Sequence, residues 1–221
     1  MFAYPERALV NRALPKSKVY GEARPSRSLR QKFITQVEEI VWHYELRPHT
    51  LNLPASQGVE GIQIFSIVQR TPELNEVVLR TLDRAIPSLL FFELHTQDKV
   101  RFAAAYKRPS EGSSSLPVVE DYYLTPWQPA TESRLPLPVA LDLAALYEKM
   151  LLRYIQASPL AIAPRAGESL AEMVERGRSI RAYQRECHRL EAALRREPQF
   201  NRKVEINRVL RQCLENLASL K

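Results

Sequence analysis

The pattern of apolar and polar residues predicts several strands in the first two thirds of the chain. The run GIQIFSIVQRT has apolar side chains on both alternating sets of positions, which is typical of a central strand covered on both faces. SLLFFELH and VRFAAAYK, separated by the polar TQDK, predict a β-hairpin, and EDYYLTPW predicts a further short strand. The strands predict a mixed or antiparallel sheet.

Helices are predicted around these strands. Ser28 and Gln31 form a capping-box pattern, and apolar residues at helical spacing then predict a helix that ends at about Leu46. A second helix is predicted from Thr71, which precedes a proline, to Pro87. Sheet and helices together predict an α+β fold.

The chain is predicted to have three parts. Three prolines among basic and polar residues favour an extended arm over 1–28. The α+β domain covers 29–158, and its last predicted helix is amphipathic and begins near Val139. A segment rich in proline and small residues separates it from 168–221.

Residues 168–221 have a heptad-like apolar pattern that predicts an antiparallel helical hairpin resembling a coiled coil. The turn is predicted at EPQ, with Pro198 beginning the second helix. With about three heptads per helix the hairpin is marginally stable alone, so it is predicted to dock on its own domain, dimerise, or bind another protein. The predicted interaction seam consists of Met173, Ile180, Cys187, Leu194, Ile206, Leu210, Cys213 and Leu217.

The net charge of +7 is concentrated in this hairpin. From Arg165 to Lys221 there are 13 Lys and Arg against 8 Asp and Glu, which contributes +5. Such a segment can bind phosphate backbones, anionic lipid or an acidic protein surface, although interleaved glutamates fit helix pairing equally well. The candidate nucleic-acid-binding residues are Arg178, Arg181, Arg185, Arg189, Arg195, Arg196, Arg202, Lys203 and Arg208.

Catalytic signatures are absent from the sequence. Its four histidines are scattered, and its six glycines form no phosphate-binding loop, which argues against the usual nucleotide-binding enzymes. Cys187 and Cys213 fit neither a disulfide framework nor a metal site, and they are interpreted as small apolar residues. No catalytic residue, metal or cofactor is predicted.

Two weaker patterns suggest other functions. Glu60, Glu93 and Asp98 with Lys107 are the only set that suits a diverged metal-dependent nuclease, but no lysine follows Glu93 at the required spacing, so solvated strand-end charges are the favoured interpretation. The aromatic residues of EDYYLTPW could stack on bases, as in single-strand binders, but core packing is favoured. They are Tyr122, Tyr123 and Trp127.

Localisation is predicted from what the sequence lacks. No run approaches the roughly twenty apolar residues of a membrane span, and the first residues do not follow the order of a secretory signal. The expected compartment is the cytoplasm, with no membrane association.

Four segments, LPKSKVY, FITQVEEIVWHYELRPHTLNLPA, LDRAIPSLLFFELH and EPQFNRKVEINRVLRQ, carry a family resemblance. Together they span nearly the whole chain, which resembles the uncharacterised bacterial family known as domain of unknown function 4391. The family has no assigned activity, so the resemblance supplies no site. It implies a genomic context beside helicases and DNA methyltransferases of restriction-like or phage-defence loci.

Three functions follow as hypotheses. The preferred one is a non-catalytic accessory protein whose hairpin docks on a helicase or methyltransferase, with homo-oligomerisation left open. The alternative is a nucleic-acid-binding module that uses the basic hairpin. The third is a diverged nuclease.

Overall fold

The structure is a computed structural model that describes residues 1–108 and 118–220. Most of the serine-rich segment KRPSEGSSSLP, which the sequence indicates is a loop, lies outside the described residues. The chain divides into two compact units, Met1–Pro159 and Leu160–Lys221. The helices are α1 (Lys16–Ala23), α2 (Arg27–Gln36), α3 (Pro48–Leu51), α4 (Glu76–Ala85), α5 (Leu143–Ala157), α6 (Leu170–Arg196) and α7 (Phe200–Leu220). The strands are β1 (Leu9–Ala13), β2 (Val37–Leu46), β3 (Ile62–Gln69), β4 (Leu89–Thr96), β5 (Lys99–Arg108), β6 (Val118–Leu124) and β7 (Gln128–Pro129).

The described part of the first unit contains one seven-stranded sheet. Its order is β1-β2-β3-β4-β5-β6. The short strand β7 pairs with the first residues of β5, Lys99 and Val100, which β6 does not reach. Only β3 and β4 are parallel, and α4 connects them, whereas the other pairs are antiparallel. The sheet is therefore mixed and mostly antiparallel, which confirms the predicted α+β class.

Helices cover both faces of this sheet. On one face α1, α2 and α4 enclose a core that includes Phe33, Ile67 and Phe92. On the other face α5 packs on β5 and β6, and its Tyr154 makes edge contacts with Phe91. Because β3 is buried on both sides, its apolar run has no polar alternation, as the sequence predicted.

The first predicted helix is wrong in its second half. α2 ends at Gln36, and residues 37–46 form strand β2 between β1 and β3. The pairing of β2 with β3 shifts register twice, between Val37 and Glu39 and between Trp42 and Tyr44. These bulges break the two-residue alternation of a strand, so the apolar residues recur at a spacing that resembles a helix.

Residues 1–28 were expected to form an extended arm, but the structure shows them packed into the first unit. They contain a 3₁₀ turn, edge strand β1 and helix α1, and they bury Phe2, Ala8 and Val19. Phe2 forms a parallel bridge with Leu135 in a proline-rich stretch far along the chain. The three prolines of this segment do not indicate an extended arm, because each lies just before a short helix or between two helices.

Two other helices begin later than predicted because a capping residue sets each start. The Asn75 side chain accepts a hydrogen bond from Val77 N at 3.2 Å, so α4 begins after Asn75 and not at Thr71. Asp142 accepts from Ala145 N at 2.8 Å and starts α5. No helix of the described residues is both long and apolar enough to cross a membrane.

The second unit is the predicted helical hairpin. α6 begins with a capping box in which Ser169 and Glu172 satisfy each other's backbone N–H groups, and it runs for 27 residues. The EPQ turn follows, and α7 begins at Phe200, two residues after Pro198. A shared apolar seam joins the helices along their length.

Candidate functional site

A glutamate lies in the middle of the apolar strand β4. Glu93 follows Phe91 on the α5 side of β4, and its side chain has no solvent exposure. A carboxylate buried in this way requires compensating charge or hydrogen bonds. The favoured interpretation of Glu93 as a solvated strand-end charge is therefore wrong, although an acidic residue inside LLFFELH is a signal of a buried group with a specific partner.

The partner is Arg134, 41 residues further along the chain. Its Nη1 and Nη2 donate to the two Glu93 carboxylate oxygens at 2.6 and 2.9 Å, and Nη1 also donates to the Phe2 carbonyl at 3.2 Å. Next to this ion pair, backbone hydrogen bonds join Leu135 to Met1 and Ala3. Arg134 therefore joins β4, the amino-terminal segment and the proline-rich stretch before α5.

Two histidines complete the environment of this carboxylate. His43 Nδ1 and His95 Nε2 lie 3.9 and 3.7 Å from Glu93 Oε2. Burial alone would raise the pKa of Glu93, but the two imidazoles and the guanidinium outweigh it and hold the pKa well below its usual range. The arrangement keeps Glu93 ionised inside the protein.

The chemistry open to this cluster is limited by Arg134. Both carboxylate oxygens accept from its guanidinium, so the buried negative charge is already balanced by a bidentate ion pair. In the described ranges, 1–108 and 118–220, no group of three or more His, Cys, Asp or Glu side chains is arranged to hold a metal ion. The geometry is that of a buried structural junction.

The structure does not bring the nuclease set together. Glu93 is held by Arg134, and Asp98 lies beyond the end of β4 in the turn before β5. Glu60 and Lys107 line a separate groove of about 490 Å³ near the first residues of β3 and β4. The Lys107 ammonium is buried and pairs with Asp83 at 2.7 Å, so Lys107 is not a solvated strand-end charge either.

Asp83 and Lys107 belong to a second buried polar cluster. Lys107 Nζ also donates to the Ser88 carbonyl, and the Tyr122 hydroxyl donates to the second Asp83 oxygen. Burial raises the pKa of Asp83 and lowers the pKa of Lys107, because it disfavours both charges. The cluster ties α4 to β5 and β6 across one face of the sheet.

The aromatic residues considered for base stacking are part of the core. Tyr122 and Tyr123 are buried, which confirms the favoured packing interpretation. Trp127 is partly buried, and the Arg101 guanidinium lies over its ring at 4.6 Å. Tyr122 and Tyr123 therefore present no open face for a nucleic-acid base.

The predicted interaction seam is occupied within the hairpin. Five seam residues form one buried cluster between α6 and α7, together with Leu190: Ile180, Cys187, Leu210, Cys213 and Leu217. Leu194 and Ile206 are partly buried and pack against this cluster. Met173, near the start of α6, is also buried. A partner of the intact hairpin would therefore contact its outer surfaces.

Two arginines form hydrogen bonds at the end of the hairpin opposite its turn. Arg176 pairs with Glu168 and donates to the carbonyls of Ala163 and Leu220 at 2.7 and 3.3 Å. Its hydrogen bonds lower the pKa of Glu168 to about 2. Arg165 donates to the Ser219 carbonyl at 3.1 Å. These contacts fix the carboxyl end of α7 against the start of α6.

The candidate nucleic-acid residues lie on the outside of the hairpin but differ in their pairing. Arg189 pairs with Glu186 at 2.6 Å, while Arg178 and Arg195 have weaker contacts to Glu175 and Glu191. Arg181 is half-buried. The remaining five are exposed and have no carboxylate partner among the described residues. They are Arg185, Arg196, Arg202, Lys203 and Arg208.

α7 also exposes apolar side chains, which the sequence analysis did not single out. Phe200 is 78% exposed, Val204 54% and Leu214 44%. Together with the exposed Arg211 they recur at intervals of four, seven and three residues, which places them on one helix face. We call Phe200, Val204, Arg211 and Leu214 the outer stripe of α7.

Comparison with known proteins identifies the family. No curated protein and no solved structure was found to match this chain. The model of the family described as Domain of unknown function (DUF4391) matches residues 2–217, which include both units. The chain therefore belongs to the DUF4391 family, which confirms the resemblance seen in its sequence.

Proposed function

We propose that this protein is a non-catalytic accessory subunit whose C-terminal hairpin docks on a larger protein through the outer stripe of α7. The observation that carries the proposal is the exposure of Phe200 and Val204 on a helix whose own apolar seam is already filled. An exposed helix face with apolar anchors at this spacing suits a hydrophobic groove on a partner.

The charge of α7 specifies the chemistry of that groove. α7 contains four Lys or Arg residues and only two glutamates, and the cations have no carboxylate partner among the described residues. A complementary partner would have carboxylates around an apolar groove, because opposite charges steer association and fix register. The family resemblance adds a DNA helicase or methyltransferase of a restriction-like or phage-defence system as the expected partner.

The test is binding to any helicase or DNA methyltransferase encoded beside the gene, which are the partners that the family resemblance implies. Phe200→Asp combined with Val204→Asp is expected to weaken binding to one of them by at least about 30-fold, because apolar anchors at the centre of an interface commonly contribute 2 kcal/mol or more. Calorimetry with the purified proteins measures the dissociation constant. The matched control is Ile34→Asp, which places the same charge at an exposed apolar position of α2.

Two results would overturn this function. One is an unchanged affinity of the Phe200/Val204 variant for a partner that binds the wild type. The other is the absence of binding to either neighbour by the wild-type protein.

The exposed, unpaired cations favour nucleic-acid binding as the second candidate function. Arg196, Arg202 and Lys203 surround Phe200 in sequence at the hairpin turn. If they contact phosphates, the affinity for duplex or single-stranded DNA should fall steeply with salt, and changing all three to glutamate should abolish it. The accessory function expects no DNA binding of the isolated protein at about 0.15 M salt, which a fluorescence-anisotropy salt series would decide.

A further inference from the structure

The two cysteines of the chain face each other across the hairpin seam. Cys187 of α6 and Cys213 of α7 place their Sγ atoms 2.7 Å apart, although 26 residues separate them in sequence. Both are free thiols and both are buried. They are the only cysteines in the sequence, so each has a single possible intramolecular partner.

We propose that Cys187 and Cys213 form a reversible disulfide that closes the hairpin covalently, with a low-molecular-weight disulfide as the oxidant. Formation of the bond requires the two sulfur atoms to approach by roughly 0.7 Å from their present separation. The proposal depends on the hairpin alone, so it stands or fails independently of the docking function.

One of the two buried cysteines lines an open groove through which a small oxidant can approach. A groove of about 490 Å³ runs along the side of the hairpin, and Cys213 lines it together with Tyr183, Glu186, Arg208 and Gln212. A disulfide such as oxidised glutathione can approach Cys213 through this groove. We therefore expect Cys213 to react with the oxidant before Cys187 does.

The exchange balances without any other reactant. The Cys213 thiolate attacks one sulfur of the small disulfide, forms a mixed disulfide and releases one small thiolate. The Cys187 thiolate then attacks the Cys213 sulfur and releases the second. Two protein thiols lose two protons and two electrons, and the small disulfide is reduced to two thiols. Burial raises the pKa of Cys213 to about 11, so the first step is expected to be slow.

The experiment uses the full-length protein, reduced and then incubated for several hours with oxidised glutathione. Intact mass spectrometry should show the loss of two hydrogen atoms without any adduct, and peptide mapping should identify a Cys187–Cys213 crosslink. The thermal midpoint of the helical hairpin, followed by circular dichroism, should rise by roughly 10–20 °C and return on treatment with dithiothreitol.

Matched variants separate the pair from ordinary thiol oxidation. Cys187→Ala should leave Cys213 with one stable glutathione adduct, because the second step has lost its nucleophile, and the circular-dichroism spectrum checks that the variant is folded. Several results on the wild type would overturn the proposal: an adduct on each cysteine, a crosslink only between two molecules, or no reaction.

Discussion

Replacing Arg134 with leucine is expected to lower the free energy of unfolding of the first unit by about 3–5 kcal/mol, because it leaves the Glu93 carboxylate buried without its guanidinium partner. The hydrogen bond from Arg134 to the Phe2 carbonyl is lost as well. Urea unfolding followed by tryptophan fluorescence measures the change, since Trp42 and Trp127 both belong to this unit.

The effect of this substitution should depend on pH in a defined direction. In the wild type the pKa of Glu93 is depressed on folding, so Glu93 contributes stability above its unfolded pKa of about 4.3 that is lost as the pH falls toward the folded value. Without Arg134 the buried carboxylate favours its protonated form. The stability gap between wild type and Arg134→Leu is therefore expected to narrow at acidic pH.

Two controls make the result specific to the buried pair. Arg12→Leu removes an exposed arginine of β1 and should change stability by less than about 0.5 kcal/mol. Adding Glu93→Gln to Arg134→Leu should recover part of the loss, because no uncompensated charge then remains buried. A loss for Arg134→Leu as small as that of the Arg12 control would contradict the role given to the pair.

Lys107→Met is the second substitution with a large expected effect, again about 3–5 kcal/mol of unfolding free energy. Methionine keeps the apolar bulk of the side chain but removes the ammonium that pairs with Asp83 and donates to the Ser88 carbonyl. Burial already raises the pKa of Asp83, so the carboxyl is expected to take up a proton when its cation is removed. The same urea experiment measures the loss.

The same strand supplies the control for Lys107. Lys99→Met changes an exposed lysine of β5 and should be close to neutral. Combining Lys107→Met with Asp83→Leu should restore at least half of the lost stability, because two apolar residues replace an ion pair at little net cost. Equal losses in the single and double variants would show that the pair does not account for the effect.

The elements that the sequence predicted correctly were those whose pattern is local. β3 was identifiable because a strand covered on both faces has apolar residues on both alternating sets of positions, and the hairpin because its seam repeats over many turns. β2 was missed because its two bulges replace the strand alternation with a spacing that a helix also produces. The packing of residues 1–28 was missed because its partners, strand β2, helix α4 and Leu135, lie elsewhere in the sequence.

The candidate functional residues were likewise recognisable from local sequence, whereas their partners were not. The acidic residue in LLFFELH marks Glu93 as unusual, but nothing near it in sequence indicates Arg134 or His43. The interpretation of Cys187 and Cys213 as small apolar residues describes their burial, while their close approach depends on the register of α6 against α7. The alignment of α6 against α7 also involves the turn between them and the hydrogen bond from Arg176 to the Leu220 carbonyl, and the heptad pattern indicates neither.

The junction between Phe2 and the stretch around Leu135 has a consequence for synthesis on the ribosome. The segment that covers Phe2 is made more than a hundred residues after it. At roughly 5–20 residues per second, the side chain stays exposed for about 7–30 s before its partners exist. The amino-terminal segment is therefore a natural contact for nascent-chain chaperones, and the first unit completes its core only when α5 has left the exit tunnel.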